Sequence, residues 1–233
     1  MANITWYGHS AFKISSSGIS IIVDPFLDGC PTCPISWKDV GPVDLVLVTH
    51  DHGDHTGKAV DICKASGAML GCVVGTAENM VHVGVPAAQI CNGIGFGMGG
   101  TVTVRGARVT MVPAFHTSDS GLPVGYIVTM PDGFTWYHAG DTCVYGDMAL
   151  WGNMYSLDVA LLPIGGTFTM DAAQAAVACT LLRPHYVIPM HWGTFPVLAD
   201  STEPFKEALH KNGCRAACVD MVPGDTVQLE KIK

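Results

Sequence analysis

Apolar, β-branched runs of four to seven residues recur along the chain and predict β-strands separated by polar or glycine-rich segments. The predicted strands are residues 19–23, 43–49, 101–104, 108–113, 124–130, 134–138, 158–162 and 186–190. Three other stretches carry helical spacing and few β-branched side chains: residues 57–66, 171–182 and 203–212. Gly213 follows the last stretch in the position typical of a helix C-cap.

Both halves of the chain give several strands followed by helices, and no repeat or Ser/Pro/Gly-rich linker lies between the halves. A chain of 233 residues is long enough to bury about 70% of its unfolded surface around one core. We therefore predict a single domain, residues 1–233, of the α/β class, in which mixed sheets are covered by helices.

The charge balance argues against nucleic acid as a partner. Lysine and arginine number 12 against 20 acidic residues, so the formal net charge is -8. A protein that neutralises many phosphate groups needs a positively charged surface. Charged residues make up only 14% of the chain, against about 25% in typical soluble domains. A surface with so few ionic groups is compatible with partial burial against a second copy, so we expect a homo-oligomer.

Cysteine usage and the absence of targeting signals predict a cytoplasmic protein. No apolar run approaches the ~20 residues that cross a bilayer, and the first ten residues lack a basic segment followed by a hydrophobic one. Nine cysteines is an odd number, which disfavours a secreted disulfide framework. Cys30 and Cys33 have the spacing of half a zinc knuckle, but no second pair stands nearby, so we interpret them as free thiols.

The segment 49–56, with the sequence THDHGDHT, contains the clearest chemical signal. Three imidazoles and two carboxylates fall within six positions, directly after the apolar run 44–49. A buried strand that ends in such a cluster places it in a loop at the sheet edge, where metal sites are common. His50 and His52 would face one ion, while Asp54 and His55 turn toward a second. A solvated, histidine-rich loop is the alternative.

This segment resembles the signature of the metallo-β-lactamase superfamily, in which a single His, a single Asp and a last His follow at strand ends. Here those residues are His116, Asp141 and His191. The resemblance implies a four-layer αββα sandwich with a two-metal site, and Asp24 as the acid that supports the metal-binding turn. It also implies the ligands: His50, His52 and His116 for one ion, Asp54, His55 and His191 for the other, and Asp141 as the bridge.

Residues 6–12, 137–142 and 189–196 resemble a narrower group of small cytoplasmic metal-dependent hydrolases. That group is related to ascorbate-phosphate lactonases and N-acyl-phosphatidylethanolamine phospholipase D. The resemblance implies a dinuclear hydrolase that uses a hydroxide shared by the two ions to cleave a small ester, lactone or phosphodiester. Imidazole and carboxylate ligands without thiolate make zinc the default metal, with manganese or iron open.

The formal charge of the loaded site is near +1, so we expect a small anionic or carbonyl substrate. We expect four residues to take part in catalysis: Asp54, Asp141, His9 and His138. Each of the last two either supports a metal ligand, protonates the leaving group or is a hydrogen-bonded core histidine.

Two alternatives to a hydrolase are a mononuclear-iron, persulfide-oxidising type of the same superfamily and a non-catalytic binding domain. Both predict the loss of ligands, whereas every expected ligand is present.

Two loops are candidates for the substrate pocket because they are rich in Pro, Trp and Phe. They are residues 31–37 and 191–198, whose aromatic side chains either form pocket walls or pack the loops onto the core. The glycine pair at the start of 165–171 could present backbone N–H groups to an anion, but a tight turn with Thr169 or Asp171 as the N-cap is the simpler interpretation.

Overall fold

The computed structural model describes residues 1–232 and arranges them in two mixed β-sheets. The first sheet has six strands in the order β13-β1-β2-β3-β4-β5. These strands are β1 Ala2–Trp6, β2 Phe12–Ser16, β3 Ile19–Val23, β4 Leu45–Leu47, β5 Met69–Gly71 and β13 Thr226–Leu229. The pairs from β13 to β3 are antiparallel, and β3, β4 and β5 run parallel.

The second sheet has seven strands in the order β12-β11-β10-β9-β8-β7-β6. Its strands are β6 Thr101–Val104, β7 Ala107–Pro113, β8 Val124–Thr129, β9 Thr135–His138, β10 Val159–Pro163, β11 Tyr186–Met190 and β12 Ala217–Cys218. The strands from β9 to β12 are parallel, and those from β6 to β9 are antiparallel.

Helices cover the outer faces of both sheets. The α-helices are α1 Gly53–Thr56, α2 Ala59–Ser66, α3 Val74–His82, α4 Met148–Met154, α5 Ala172–Leu182 and α6 Glu203–Lys211. Single 3₁₀ turns lie at Trp37–Asp39, Ala87–Gln89 and Cys91–Gly93. No helix of the described residues is long and apolar enough to cross a membrane.

The largest hydrophobic core contains the side chains that the two sheets turn toward each other, including the buried Trp6, Phe12, Tyr126 and Trp136. A second, smaller core lies between the first sheet and α2 and α3. Helix α5 packs on β10 and on α4 and α6. The layer order is therefore helix, sheet, sheet, helix, which confirms the predicted αββα sandwich.

The eight predicted strands correspond to β3, β4 and β6 to β11, and the three predicted helices correspond to α2, α5 and α6, with ends shifted by up to two residues. The pattern did not predict β1, β2, β5, β12, β13, α1, α3 or α4. Among the omitted strands, β5 and β12 have only three and two residues, and polar residues interrupt β1, β2 and β13, so none forms a continuous apolar or β-branched run.

Candidate metal centre

All seven predicted metal ligands lie together where strands of the two sheets end. Nitrogen and oxygen atoms of these side chains and of His9 form three overlapping groups, and the atoms of each group lie within 4.8 Å of one another. The groups are His50, His52 and His116; His50, His55 and Asp141; and His9, Asp54, His55 and His191. The groups share His50 and His55, so they form one continuous cluster.

The turn that carries four of these ligands is held by its backbone. His52 is the N-cap of the short helix α1, and the backbone N–H of Gly57 donates to the carbonyl of Gly53 at 3.1 Å. Gly57 has a φ of +40°, and a Cβ there would lie 2.2 Å from the carbonyl oxygen of Pro25. Only glycine fits this close approach, which packs the turn against the residue that follows Asp24.

Asp24 anchors the turn from beneath. Its fully buried carboxylate accepts hydrogen bonds from the Thr49 N–H at 2.8 Å, the Thr49 hydroxyl at 2.7 Å and His55 Nδ1 at 2.8 Å. Burial by itself raises the pKa of Asp24, but the charge and hydrogen bond of His55 lower it overall. The bond to Nδ1 leaves His55 Nε2 as the atom that faces the cluster, 3.3 Å from Asp141 Oδ2.

Asp141 lies between the ligand groups. Its Oδ2 atom is 3.0 Å from His191 Nε2 and 3.6 Å from His116 Nε2. Gly140 precedes it with a φ of +61°, and a Cβ at that position would lie 2.5 Å from the carbonyl oxygen of Val124. The glycine therefore lets the chain turn at the end of β9 and aim the carboxylate of Asp141 into the cluster.

The protonation of the cluster follows from burial and charge. Burial raises the pKa of Asp141, but the charges of His55 and His191 lower it well below its usual value. Burial lowers the pKa of His55, but Asp141 and Asp24 together raise it well above its usual value. Burial and the neighbouring His55 lower the pKa of His50 to about 3, and burial also lowers that of His116. The imidazoles of His50 and His116 are therefore neutral, and each has a nitrogen lone pair that can bind a metal ion.

The donor set fits a metal centre. His55 Nε2 and Asp141 Oδ1 are buried and have no hydrogen-bond partner among residues 1–232. Both atoms face the cluster of imidazole and carboxylate groups, where a metal ion would supply the missing partner. Imidazole nitrogen and carboxylate oxygen without thiolate suit Zn²⁺, Mn²⁺ or Fe²⁺.

His9 supports the ligands from the first sheet. Its Nε2 lies 3.2 Å from Asp54 Oδ2 and its Nδ1 lies 3.1 Å from the hydroxyl of Thr194. Its carbonyl oxygen accepts from the backbone N–H of His191 at 3.0 Å. Burial lowers the pKa of His9 to about 4, so the neutral ring donates to Asp54. Burial raises the pKa of Asp54, but this bond lowers it overall and keeps the carboxylate ionised.

His138 does not have a free nitrogen for proton transfer. Its Nε2 lies 3.0 Å from the carbonyl oxygen of Ser10, and its Nδ1 accepts from the backbone N–H of Gly140 at 3.1 Å. The side chain is fully buried, and burial lowers its pKa. Of the interpretations that the sequence left open for His138, these contacts favour the hydrogen-bonded core histidine, which supports the turn before Asp141.

Sequence reasoning missed Asp51, the other carboxylate of the motif. It accepts hydrogen bonds from the hydroxyl groups of Ser118 and Ser120, from the backbone N–H of Asp119 and from the amide of Asn79. Burial raises its pKa, but the serine hydroxyls lower it to about 2. Asp51 thus ties the histidine turn to the segment after His116. The run of short polar residues at 117–120 was the available signal.

A cavity of about 340 Å³ opens over the cluster. Its apolar side consists of Phe168, Phe195 and Leu198. Its polar side consists of His52, Asp54, His116, Thr117, Asp141 and His191. The loop 191–198 therefore contributes a wall, as one interpretation of the sequence proposed, through Phe195 and Leu198.

Neither tryptophan considered for the pocket lines this cavity. The Trp192 ring packs on Trp6 with centroids 5.5 Å apart, and its Nε1 donates to the carbonyl of Pro189 at 3.2 Å. Trp37 lies in the 3₁₀ turn near the second core, so the loop 31–37 does not form a wall of the cavity. For these two side chains the packing interpretation holds.

The glycine-rich segment 165–171 forms a tight turn before α5, as the simpler interpretation of the sequence predicted. Asp171 caps α5 by accepting from the backbone N–H of Gln174 at 2.8 Å. The backbone N–H of Met170 donates to the carbonyl of Thr142 at 2.9 Å. These bonds hold Phe168 at the cavity.

Comparison with known proteins identifies the family. The model of the beta-lactamase superfamily domain matches residues 3–191. A UPF0173 metal-dependent hydrolase of Nitratidesulfovibrio vulgaris is 57% identical over 98% of this chain and 95% of its own length. The corresponding protein of Lawsonia intracellularis is 48% identical over 97% of this chain and 98% of its own.

A solved structure supports the same conclusion. Igni18, a metallo hydrolase of the archaeon Ignicoccus hospitalis, is 36% identical to this chain, covers 99% of both chains and superposes with a TM-score of 0.90. These findings confirm the predicted superfamily and fold. The chain belongs to the beta-lactamase superfamily and, within it, to the UPF0173 family of metal-dependent hydrolases.

Proposed function

We propose that this protein is a dinuclear metal-dependent hydrolase that cleaves an ester or lactone bond in a small molecule with an apolar substituent. The observation that carries the proposal is the position of Asp141, whose Oδ2 lies within 3.6 Å of imidazole nitrogens from His55, His116 and His191. One carboxylate thus contacts histidines from both of the ligand sets that we propose for the two ions.

The ligand assignment is the one that the resemblance to the superfamily implies, and the proximity of these residues supports it. His50, His52 and His116 would hold one ion, and Asp54, His55 and His191 the other, with Asp141 shared between them. Zinc is the metal that we propose, because the donors are nitrogen and oxygen and the expected reaction is hydrolytic. Ions held by these residues would supply a water of lowered pKa as the nucleophile and would polarise the substrate oxygen.

The chain's own residues prepare the site. Asp24 fixes the ring of His55, and His9 fixes the carboxylate of Asp54 and the backbone of His191. The Asp54 side chain is 32% exposed and lines the cavity. We propose that this ionised carboxylate orients the nucleophilic water by accepting a hydrogen bond from it. Phe168 and Phe195 exclude bulk water from one side.

The cavity favours a carbonyl substrate over a phosphodiester. No lysine or arginine is among the cavity-lining residues of the described chain. Sites for phosphoryl groups usually supply such cations to match the charge of the transferring group. A carboxylic ester or lactone develops charge on one oxygen only, and its apolar part would contact Phe168, Phe195 and Leu198.

The test is a substrate panel with metal-replete protein. We expect kcat/KM to be highest for lactones or esters with an apolar substituent, and lower for phosphodiesters and thioesters. A preference for phosphodiesters would overturn the proposed bond type. One iron per chain with oxygen consumption on a persulfide would overturn hydrolysis itself.

Metal analysis tests the dinuclear assignment separately. The purified protein should bind two ions per chain, and Asp141→Ala should lose both ions and the activity, because the carboxylate is shared. The matched control is Asp200→Ala, a change at an exposed position outside the cavity. If Asp141→Ala keeps two ions and the full rate, the assignment is wrong.

A further inference from the structure

A second cavity, of about 720 Å³, lies outside the metal centre and shares no lining residue with it. It opens between the end of α5, the start of β11 and the segment that follows α6. Two cysteines line it: Cys179, which is buried in α5, and Cys214, which is partly exposed after α6. The proposed hydrolase chemistry uses neither thiol.

The two sulfur atoms are already in contact. The Sγ atoms of Cys179 and Cys214 lie 3.2 Å apart. A disulfide bond needs about 2.05 Å, so an approach of about 1 Å would join them. The chain enclosed by such a bond would contain β11, His191 and α6.

The surroundings make Cys214 the nucleophile of the pair. The hydrogen bond with Cys179 is the main cause that lowers the pKa of Cys214 to about 6. The Thr180 hydroxyl and the backbone N–H groups of Arg215 and Ala216 lower it further. The same S–H···S bond, together with burial, raises the pKa of Cys179. A partly exposed thiol of lowered pKa beside a buried thiol of raised pKa is the usual arrangement of attacking and resolving cysteines.

The cavity is also positively charged, although the protein as a whole is acidic. Arg183 and Arg215 line it together with His185. Within residues 1–232, neither arginine has a carboxylate oxygen within 4.0 Å. Among the described residues, the Arg183 guanidinium donates to the neutral side chain of Asn153. Two arginines without an acidic partner favour an anion in the cavity.

We propose that Cys214 and Cys179 form a thiol–disulfide exchange site whose oxidant is a low-molecular-weight disulfide that carries carboxylates. The Cys214 thiolate attacks one sulfur of the disulfide, which breaks its S–S bond and releases one small thiolate. Cys179 then loses its proton to solvent and attacks the Cys214 sulfur, which releases the second small thiolate and forms the protein disulfide. The small disulfide is reduced to two thiols while the two cysteines are oxidised.

The test treats the intact protein with 3,3′-dithiodipropionate at a limiting amount. We expect two small thiols per molecule of reagent consumed and a Cys179–Cys214 cross-link in peptides mapped without reduction. The oxidised protein should melt at a temperature several degrees higher, because the bond restricts the unfolded chain. If the exposed Cys143 consumes the reagent and no cross-link forms, the proposal fails.

Variants separate the two thiols. With Cys179→Ser, and with Cys179→Ala as a second choice if the first does not fold, the reaction should stop at a mixed disulfide on Cys214 after one thiol is released. Cys143→Ser should leave cross-linking unchanged. A Cys179 variant that still releases two thiols per reagent would overturn the role of Cys179 as the resolving thiol.

The reaction rates of Cys214 with disulfides of opposite charge test whether the oxidant carries carboxylates. Cystamine, a cationic disulfide, should react with Cys214 about tenfold more slowly than the dianionic reagent at low salt. Arg215→Gln and Arg183→Gln should narrow this difference, and added salt should do the same. Equal rates with the two reagents in the native protein would show that the arginines do not select the ligand.

Discussion

His55 Nδ1 lies 2.8 Å from Asp24 Oδ2, a bond that joins the end of β3 to the turn after β4 beneath the metal centre. Both side chains are fully buried, so the bond is shielded from water. It sets which nitrogen of His55 faces Asp141. The orientation of one ligand therefore depends on a carboxylate that does not face the cavity.

Asp24→Asn should weaken metal binding. The amide preserves the size of the side chain but removes the negative charge that attracts the His55 ring. We expect the affinity of the ion assigned to Asp54, His55 and His191 to fall by about 10- to 100-fold. Metal titration measures this loss, and Asp39→Asn, a change at an exposed position, is the control. Unchanged affinity in Asp24→Asn would contradict the role that we assign to this residue.

Asp51→Ala should destabilise the protein while leaving the ligands in place. The change removes the acceptor for four groups from Asn79 and residues 118–120. We expect the free energy of unfolding to fall by about 2 kcal/mol, and Tm to fall by about 4–8 °C. Asp119→Ala should have little effect, because only the backbone N–H of Asp119 takes part in these contacts. Equal melting temperatures for the two variants would rule out this role for Asp51.

Phe195→Ala and Trp192→Ala should have different effects, although the residues are neighbours in sequence. Phe195 lines the cavity and is 36% exposed, so its loss should raise KM for substrates with an apolar group and leave Tm almost unchanged. Trp192 packs on Trp6, so its loss should lower the free energy of unfolding by about 3 kcal/mol. Steady-state kinetics and thermal melts on both variants check this. A raised KM in Trp192→Ala together with a lowered Tm in Phe195→Ala would contradict the roles that we assign to these two side chains.

Removal of metal should lower the melting temperature. The ligands come from distant parts of the chain, so ions that bind only the folded state stabilise it. At a free metal concentration of 100 times Kd the loss should be about 2.7 kcal/mol, which corresponds to a fall in Tm of about 5–10 °C. Melts before and after chelation, with the metal content measured, test this, and added zinc should restore Tm. An unchanged Tm after complete metal loss would show that the core alone holds the site.

The sequence by itself determined the fold class and the residue types of the site. The runs that form β3, β4 and β6 to β11 are apolar enough to mark strands whatever surrounds them. The cluster at 50–55 is local, so its spacing is visible in the sequence. His116, Asp141 and His191 were found through the family resemblance, because a single polar residue after a strand has no pattern of its own.

The tertiary structure decided what depends on contacts between distant segments. Helix α3 contains Val74, Gly75 and Thr76, which disfavour a helix, and it forms because it buries Ala77 and Met80 against the first sheet. The separate roles of His9 and His138 follow from their partners, Asp54 for one and the backbone of Ser10 and Gly140 for the other. The contacts of these two histidines join residues up to 185 positions apart. No local pattern encodes them, because the folding of the whole chain brings these atoms together.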